Sequence, residues 1–131
     1  MSVYYLDTSA AVKLVVAETG SRALQRWATE HEDELLSSDL LRTELLRAVR
    51  RGAPDRVGRA RLVLDAITLV TMPTSTFERA AELDAEMLRS LDALHLAVAL
   101  ELGDDLAGIV TYDDRLAEAA RGYGITVIAP A

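Results

Sequence analysis

The chain is predicted to fold as an α/β domain with a mainly parallel sheet. Three observations support this. Short, β-rich apolar runs at 3–6, 35–36, 67–72, 108–112 and 125–128 alternate with stretches of helical pattern. The runs at 3–6 and 108–112 have the unbroken apolar character of strands buried on both faces. No linker, repeat or low-complexity segment divides the chain, so residues 1–131 are read as one domain, long enough for a real core.

The elements follow in order. Val3-Tyr4-Tyr5-Leu6 is a buried strand closed by Asp7. Ser9 is placed as the cap of a helix to about Val16, and a second helix runs from Gly20 to Thr29. The acidic stretch 30–34 is a loop, and Leu35-Leu36 a very short strand. Ser38 is read as an N-cap, with Asp39 in the first turn of a helix to about Arg51. Gly52-Ala53-Pro54 punctuates, and another helix reaches about Ala66. The β-rich stretch 67–72 stops at Pro73. Ser75-Thr76-Phe77-Glu78 is a capping box for a helix to about Leu88. Ser90 caps a helix that is apolar nearly all round and therefore central. A strand at 108–112, a helix at 114–121 and a strand at 125–128 complete the domain.

Composition removes several function classes. There is no cysteine, which excludes disulfides, zinc–thiolate sites and cysteine nucleophiles. No apolar run reaches the length of a membrane span, and no basic region precedes the first apolar residues, so a cytoplasmic protein without a signal peptide is expected. The formal net charge of -7 argues against a simple nucleic-acid-coating role. The charge is uneven, however. From Arg42 to Arg61 there are seven arginines against Glu44 and Asp55, a local balance of +5. Such a segment is either a solvated helix face or a surface that holds phosphates. Aromatic residues are too sparse for a base-stacking platform.

Four acids stand where apolar surroundings disfavour them. Asp7 and Asp113 end apolar strands, Glu44 shares a helix face with Leu40, Leu41, Leu45 and Ala48, and Asp92 opens the run 93–100. A buried carboxylate costs several kcal/mol unless a cation or a hydrogen-bond network compensates it. In α/β sheets the ligand site lies beyond the carboxyl ends of the strands, where all four acids can converge. Oxygen ligands without cysteine suit Mg²⁺, with Mn²⁺ as substitute.

Leu6-Asp7-Thr8-Ser9-Ala10, the helix carrying Glu44, Asp92-Ala93-Leu94-His95-Leu96-Ala97 and Thr111-Tyr112-Asp113, in this order and at these separations, resemble the PIN-domain nucleases. More closely, they resemble the VapC-like toxins of bacterial and archaeal toxin–antitoxin pairs, and the resemblance covers essentially the whole chain. It implies a three-layer α/β/α domain with a five-stranded parallel sheet. It also implies a Mg²⁺- or Mn²⁺-dependent endoribonuclease, inhibition by a small cognate antitoxin, and homodimers. Asp7, Glu44, Asp92 and Asp113 would be both catalytic residues and metal ligands, with Ser9 and Thr111 in support. On this reading a metal-activated water hydrolyses an RNA phosphodiester bond and leaves a 5′-phosphate and a 3′-hydroxyl.

Each assignment has a plain alternative. Asp7 could be a turn acid, Asp92 a first-turn acid favoured by the helix dipole, and Glu44 a surface partner of Arg47 or Arg51. Asp113 competes with Asp114, and the Thr-x-Asp spacing selects Asp113. His95 is read as a satisfied core histidine, His31 as solvated and Arg115 as a helix-surface residue. Among rival functions, a haloacid-dehalogenase-like phosphatase wants an acid where Ser9 stands, and a receiver domain wants an early acidic pair that is absent. A catalytically inactive PIN-like module that binds RNA or a partner would be marked by a missing acid, and none is missing.

Overall fold

Five strands pair in parallel: Val3–Leu6 (β1), Leu35–Ser38 (β2), Thr68–Val70 (β3), Leu106–Val110 (β4) and Val127–Ile128 (β5). Their order across the sheet is β3-β2-β1-β4-β5 in this computed structural model, which describes residues 2–84 and 88–131. The helices are Thr8–Val15 (α1), Ser21–Glu30 (α2), Leu40–Gly52 (α3), Val57–Ala66 (α4), Thr74–Glu82 (α5), Ser90–Glu101 (α6) and Asp114–Gly122 (α7).

Strand alternation sorts side chains into two cores. Leu6 and Val110 join the cluster under α1 to α4, with Ala10, Leu14, Leu24, Leu45 and Val63. Tyr5, Leu36 and Ile109 point to the other face, against Leu96 and Ala99 of α6 and Leu116 and Ala120 of α7. Helix α5 packs on α6 through Ala80, Ala93 and Ala97. The result is the expected three-layer α/β/α arrangement with a five-stranded parallel sheet. Helix α6 buries Ala93 and every residue from His95 to Ala99, which accounts for its nearly uniform apolar pattern.

Several boundaries differ from the sequence reading. Asp7, not Ser9, caps α1, because its carboxylate accepts from the Ala10 amide. Ser38 does not cap α3. It ends β2 fully buried, with its hydroxyl 3.1 Å from Tyr5 Oη, while Asp39 takes the cap position. Tertiary partners of a buried hydroxyl here override a local capping preference. The Ser75 capping box is not formed either: α5 starts at Thr74 after Pro73 and ends at Glu82. Part of the stretch to Leu88 lies outside the described residues. Ser90 is the first residue of α6, with Arg89 at the cap position. Strand β4 runs from Leu106 to Val110, so Asp113 follows it by three residues and caps α7.

Strand β5 lies close against β4 because residue 108 has no side chain. A Cβ at Gly108 would stand 2.8 Å from Ile128 Cδ1 and 2.9 Å from the Thr126 carbonyl oxygen. Gly108→Val is therefore expected to cost about 1–3 kcal/mol, read as a lower denaturation midpoint.

The chain passes from β1 through β2 to β3 on one side and then returns to place β4 on the other side of β1. The strand order thus reverses between β1 and β4, and the crevice at their carboxyl ends is where ligand sites form in such sheets. Leu6 pairs with Val110, and the Asp7 amide donates to the Val110 carbonyl at 3.2 Å.

Candidate active site

Asp7 lies at the bottom of that crevice, 2 % exposed. Its Oδ1 accepts from the Ser9 hydroxyl at 2.7 Å and the Ala10 amide at 3.0 Å, and its Oδ2 accepts from the Thr111 hydroxyl at 2.5 Å. Burial raises the Asp7 pKa, against the lowering pull of Thr111, Ala10, Ser9 and the attraction of His95. Ser9 and Thr111 also fix the exit from β4. Ser9 Oγ accepts from the Tyr112 amide at 2.9 Å, and Thr111 Oγ1 from the Asp113 amide at 3.0 Å. Ser9 and Thr111 thus hold Asp7 and the backbone leading to Asp113 in one frame.

Glu44, in the second turn of α3, is half-buried. Its Oε1 accepts from Thr8 Oγ1 at 2.7 Å and from His95 Nε2 at 2.6 Å. Burial alone would raise its pKa, but the bonds from His95 and Thr8 and the attraction of His95 outweigh it and leave the carboxyl below its usual range. The surface pairing with Arg47 or Arg51 is not made.

Asp92 stands in the first turn of α6, also half-buried. Burial and then the negative charge of Asp113 raise its pKa, Asp7 and Glu44 add to the rise, and only the attraction of His95 opposes them. Asp92 therefore senses each of the other three carboxylates. Asp113 accepts with Oδ1 from the Arg115 amide at 2.9 Å and the Leu116 amide at 3.0 Å. Its Oδ1 is committed to capping α7, whereas Asp114 is exposed in the first turn. Arg89, Asp92, Asp113, Asp114 and Arg115 line one hollow of about 270 Å³. Asp113→Asn is expected to reduce RNA cleavage far more than Asp114→Asn. Equal losses in a cleavage assay would remove the choice between them.

Two residues at the site were not selected from the sequence. Thr8 holds Glu44, and His95, 0 % exposed, joins Glu44 to Tyr5 Oη, which lies 2.6 Å from Nδ1. The available signal was a lone histidine one turn after Asp92 in an otherwise apolar helix, since a fully buried imidazole must find partners.

The chemistry of this donor set suits a hard divalent cation. Asp92 is repelled by the other three carboxylates, and none of the four has a lysine or arginine in ion-pair contact among the described residues. As the side chains stand, no three acidic or imidazole groups among the described residues are gathered tightly enough to enclose an ion. A hard divalent cation here would be held through few direct carboxylate contacts and otherwise through water.

The family model for the PIN domain matches residues 4–122. Ribonuclease VapC46 of Mycobacterium tuberculosis (strain ATCC 25618 / H37Rv) is 40% identical over 130 residues, 99% of each chain. Ribonuclease VapC47 of Mycobacterium tuberculosis (strain CDC 1551 / Oshkosh) is 36% identical over 130 residues, 96% of each chain. The crystal structure of Mycobacterium tuberculosis VapC20, described as a sarcin-ricin loop cleaving toxin, aligns with a TM-score of 0.77 over 97% of this chain and 99% of that one. At 16% identity that likeness shows the shared fold alone. With the family model and these relatives spanning nearly its whole length, the chain belongs to the PIN domain family.

Proposed function

We propose that this chain is a divalent-metal-dependent endoribonuclease and the toxin of a toxin–antitoxin pair. The observation that carries the reading is the approach of four carboxylates at the β1/β4 crevice, where burial and then the charges of the other three raise the Asp92 pKa and no lysine or arginine makes an ion pair with any of them among the described residues. The names of the relatives supply the substrate class, RNA.

Asp7, Asp92, Asp113 and Glu44 would hold Mg²⁺, or Mn²⁺ in its place, directly or through water. When bound, the ion would lower the pKa of water and withdraw charge from the phosphoryl group. The chain's own part is placement. Ser9, Thr111 and the Ala10 amide fix Asp7, and Thr8 and His95 fix Glu44. Glu44, held below the usual carboxylate range, stays ionised and can accept a hydrogen bond that orients the attacking water. Arg89 and Arg115, on the rim beside Asp92 and Asp113, supply positive charge where a phosphate would enter. The arginines of α3 and α4 are exposed, but Arg59 of α4 lines a separate hollow with Glu32 and Asp33.

Partners and location belong to the same reading. The antitoxin would send a lysine or arginine toward the four carboxylates, so chelating the metal should not weaken the complex. Homodimerisation is supported by a hollow of about 360 Å³ lined by Phe77, Leu83, Leu88, Ser90, Ala93 and Leu94, with Phe77 and nearby Leu91 exposed. Sedimentation at two protein concentrations tests it, and Phe77→Glu is expected to shift the protein toward monomer. No helix among the described residues is long and apolar enough to cross a membrane, and a cytoplasmic location is proposed.

Incubation of total RNA with the purified protein tests the function. Cleavage should need Mg²⁺ or Mn²⁺, stop with chelator and return when metal is restored. Binding without cleavage under every metal condition would favour the inactive RNA- or partner-binding module instead.

A further inference from the structure

We propose that His95 is a positioning residue that fixes the Glu44 carboxylate for metal binding and water activation. The inference rests on the reading of the four carboxylates as a metal centre. His95 is fully buried in α6 and uses both ring nitrogens, Nε2 to Glu44 Oε1 at 2.6 Å and Nδ1 to Tyr5 Oη at 2.6 Å. Tyr5 Oη in turn stands 3.1 Å from Ser38 Oγ. The line therefore runs from β2 through β1 and α6 to α3, and Thr8 of α1 closes it on Glu44 at 2.7 Å.

The direction of the proton at Glu44 follows from the partners. A carboxylate can only accept, so Nε2 carries the proton that faces Glu44 Oε1. The Tyr5 hydroxyl, 2.6 Å from Nδ1, anchors the other side of the ring. Both bonds to Glu44 fall on Oε1, which leaves Oε2 for the centre. An aliphatic side chain at 95 would fill this core, but would take the ring partner from both Tyr5 Oη and Glu44 Oε1, leaving only Ser38 to the first and Thr8 to the second. A structural role in α6 needs only the volume of the ring. Positioning needs the Nε2 proton.

Two substitutions separate these roles, because glutamine places an N–H near the Nε2 position and asparagine places one near Nδ1. Mn²⁺ affinity, followed by electron paramagnetic resonance, is measured for wild type, His95→Gln, His95→Asn and Tyr5→Phe, with a thermal melt of each. His95→Asn should weaken Mn²⁺ binding by about 10–100-fold, the range seen when the partner that orients a metal ligand is lost. In RNA cleavage it should lower kcat with little change in KM. His95→Gln should restore most of both, and Tyr5→Phe should give a smaller loss in the same direction. Wild-type Mn²⁺ affinity in His95→Asn, or equal deficits in the Gln and Asn variants, would overturn the proposal. If His95→Asn does not fold, unchanged Mn²⁺ affinity in Tyr5→Phe would do the same. Absence of Mn²⁺ binding by the wild type would overturn both this inference and the metal centre. Mn²⁺ binding without RNA cleavage would overturn the nuclease reading alone and leave the His95 comparison decisive.

Discussion

Asp7→Asn is expected to reduce RNA cleavage by at least about 100-fold, because a negative ligand and the charge relief it supports are both lost. The substitution is nearly isosteric. The amide oxygen can still accept from Ser9 and Ala10, and the Thr111 hydroxyl can turn to accept from the new amide. The loss should therefore be chemical and not structural. Stability should move the opposite way. Burial raises the Asp7 pKa above its ordinary value of 3.8, so the folded state binds this proton more readily than the unfolded state. An acid shifted upward destabilises the fold once it ionises, and the penalty develops between the unfolded value and the raised folded one. Asp7→Asn should then be more stable than wild type at neutral pH without metal, and the gap should close as the pH falls toward 3.8. Thermal melts in chelator across that range check the sign. A variant that is less stable at neutral pH would mean that Asp7 serves the fold first.

The second large effect is linkage between metal and stability at Asp92. Burial and the repulsion of Asp113, Asp7 and Glu44 disfavour its charge in the metal-free protein. A cation that binds only the folded form stabilises it by about 2.7 kcal/mol at a hundredfold excess over Kd. Wild type should show a melting temperature that climbs with Mg²⁺ concentration. Asp92→Asn should start higher in chelator, climb less in Mg²⁺ and cleave RNA at least about 100-fold more slowly. If Asp92→Asn instead melts lower in chelator and gains as much from Mg²⁺ as wild type, Asp92 is a helix-terminal structural acid. The catalytic assignment would then rest on Asp7, Glu44 and Asp113.

Much of this architecture is legible in the chain because apolar runs and acids are spaced by topology. The runs 3–6 and 108–112 read as buried strands since the strands there are covered on both faces, Leu6 and Val110 by one helical layer, Tyr5 and Ile109 by the other. The uniform apolar pattern of α6 likewise reflects burial all round. What the chain conceals is which hydroxyl or imidazole meets which carboxylate. Ser38 reads locally as a cap, yet its partner is Tyr5, 33 residues away. Ser9 reads as the cap of α1, yet it donates to Asp7, which does the capping. His95 finds Glu44 at a separation of 51 residues and Tyr5 at 90, so no local pattern could name its partners. The Thr-x-Asp spacing favours Asp113 over Asp114; the structure adds that one oxygen of Asp113 caps α7.

The central claim is that the carboxylates at the β1/β4 crevice serve a metal-assisted attack of water on an RNA phosphodiester. The end chemistry of the fragments tests it most directly. RNA cut by wild-type protein after chelation and restoration of Mg²⁺ should carry 5′-phosphate and 3′-hydroxyl ends, and a parallel Asp7→Asn preparation should yield almost none. Fragments with 5′-hydroxyl and 2′,3′-cyclic phosphate ends, formed equally in chelator and by Asp7→Asn, would contradict it.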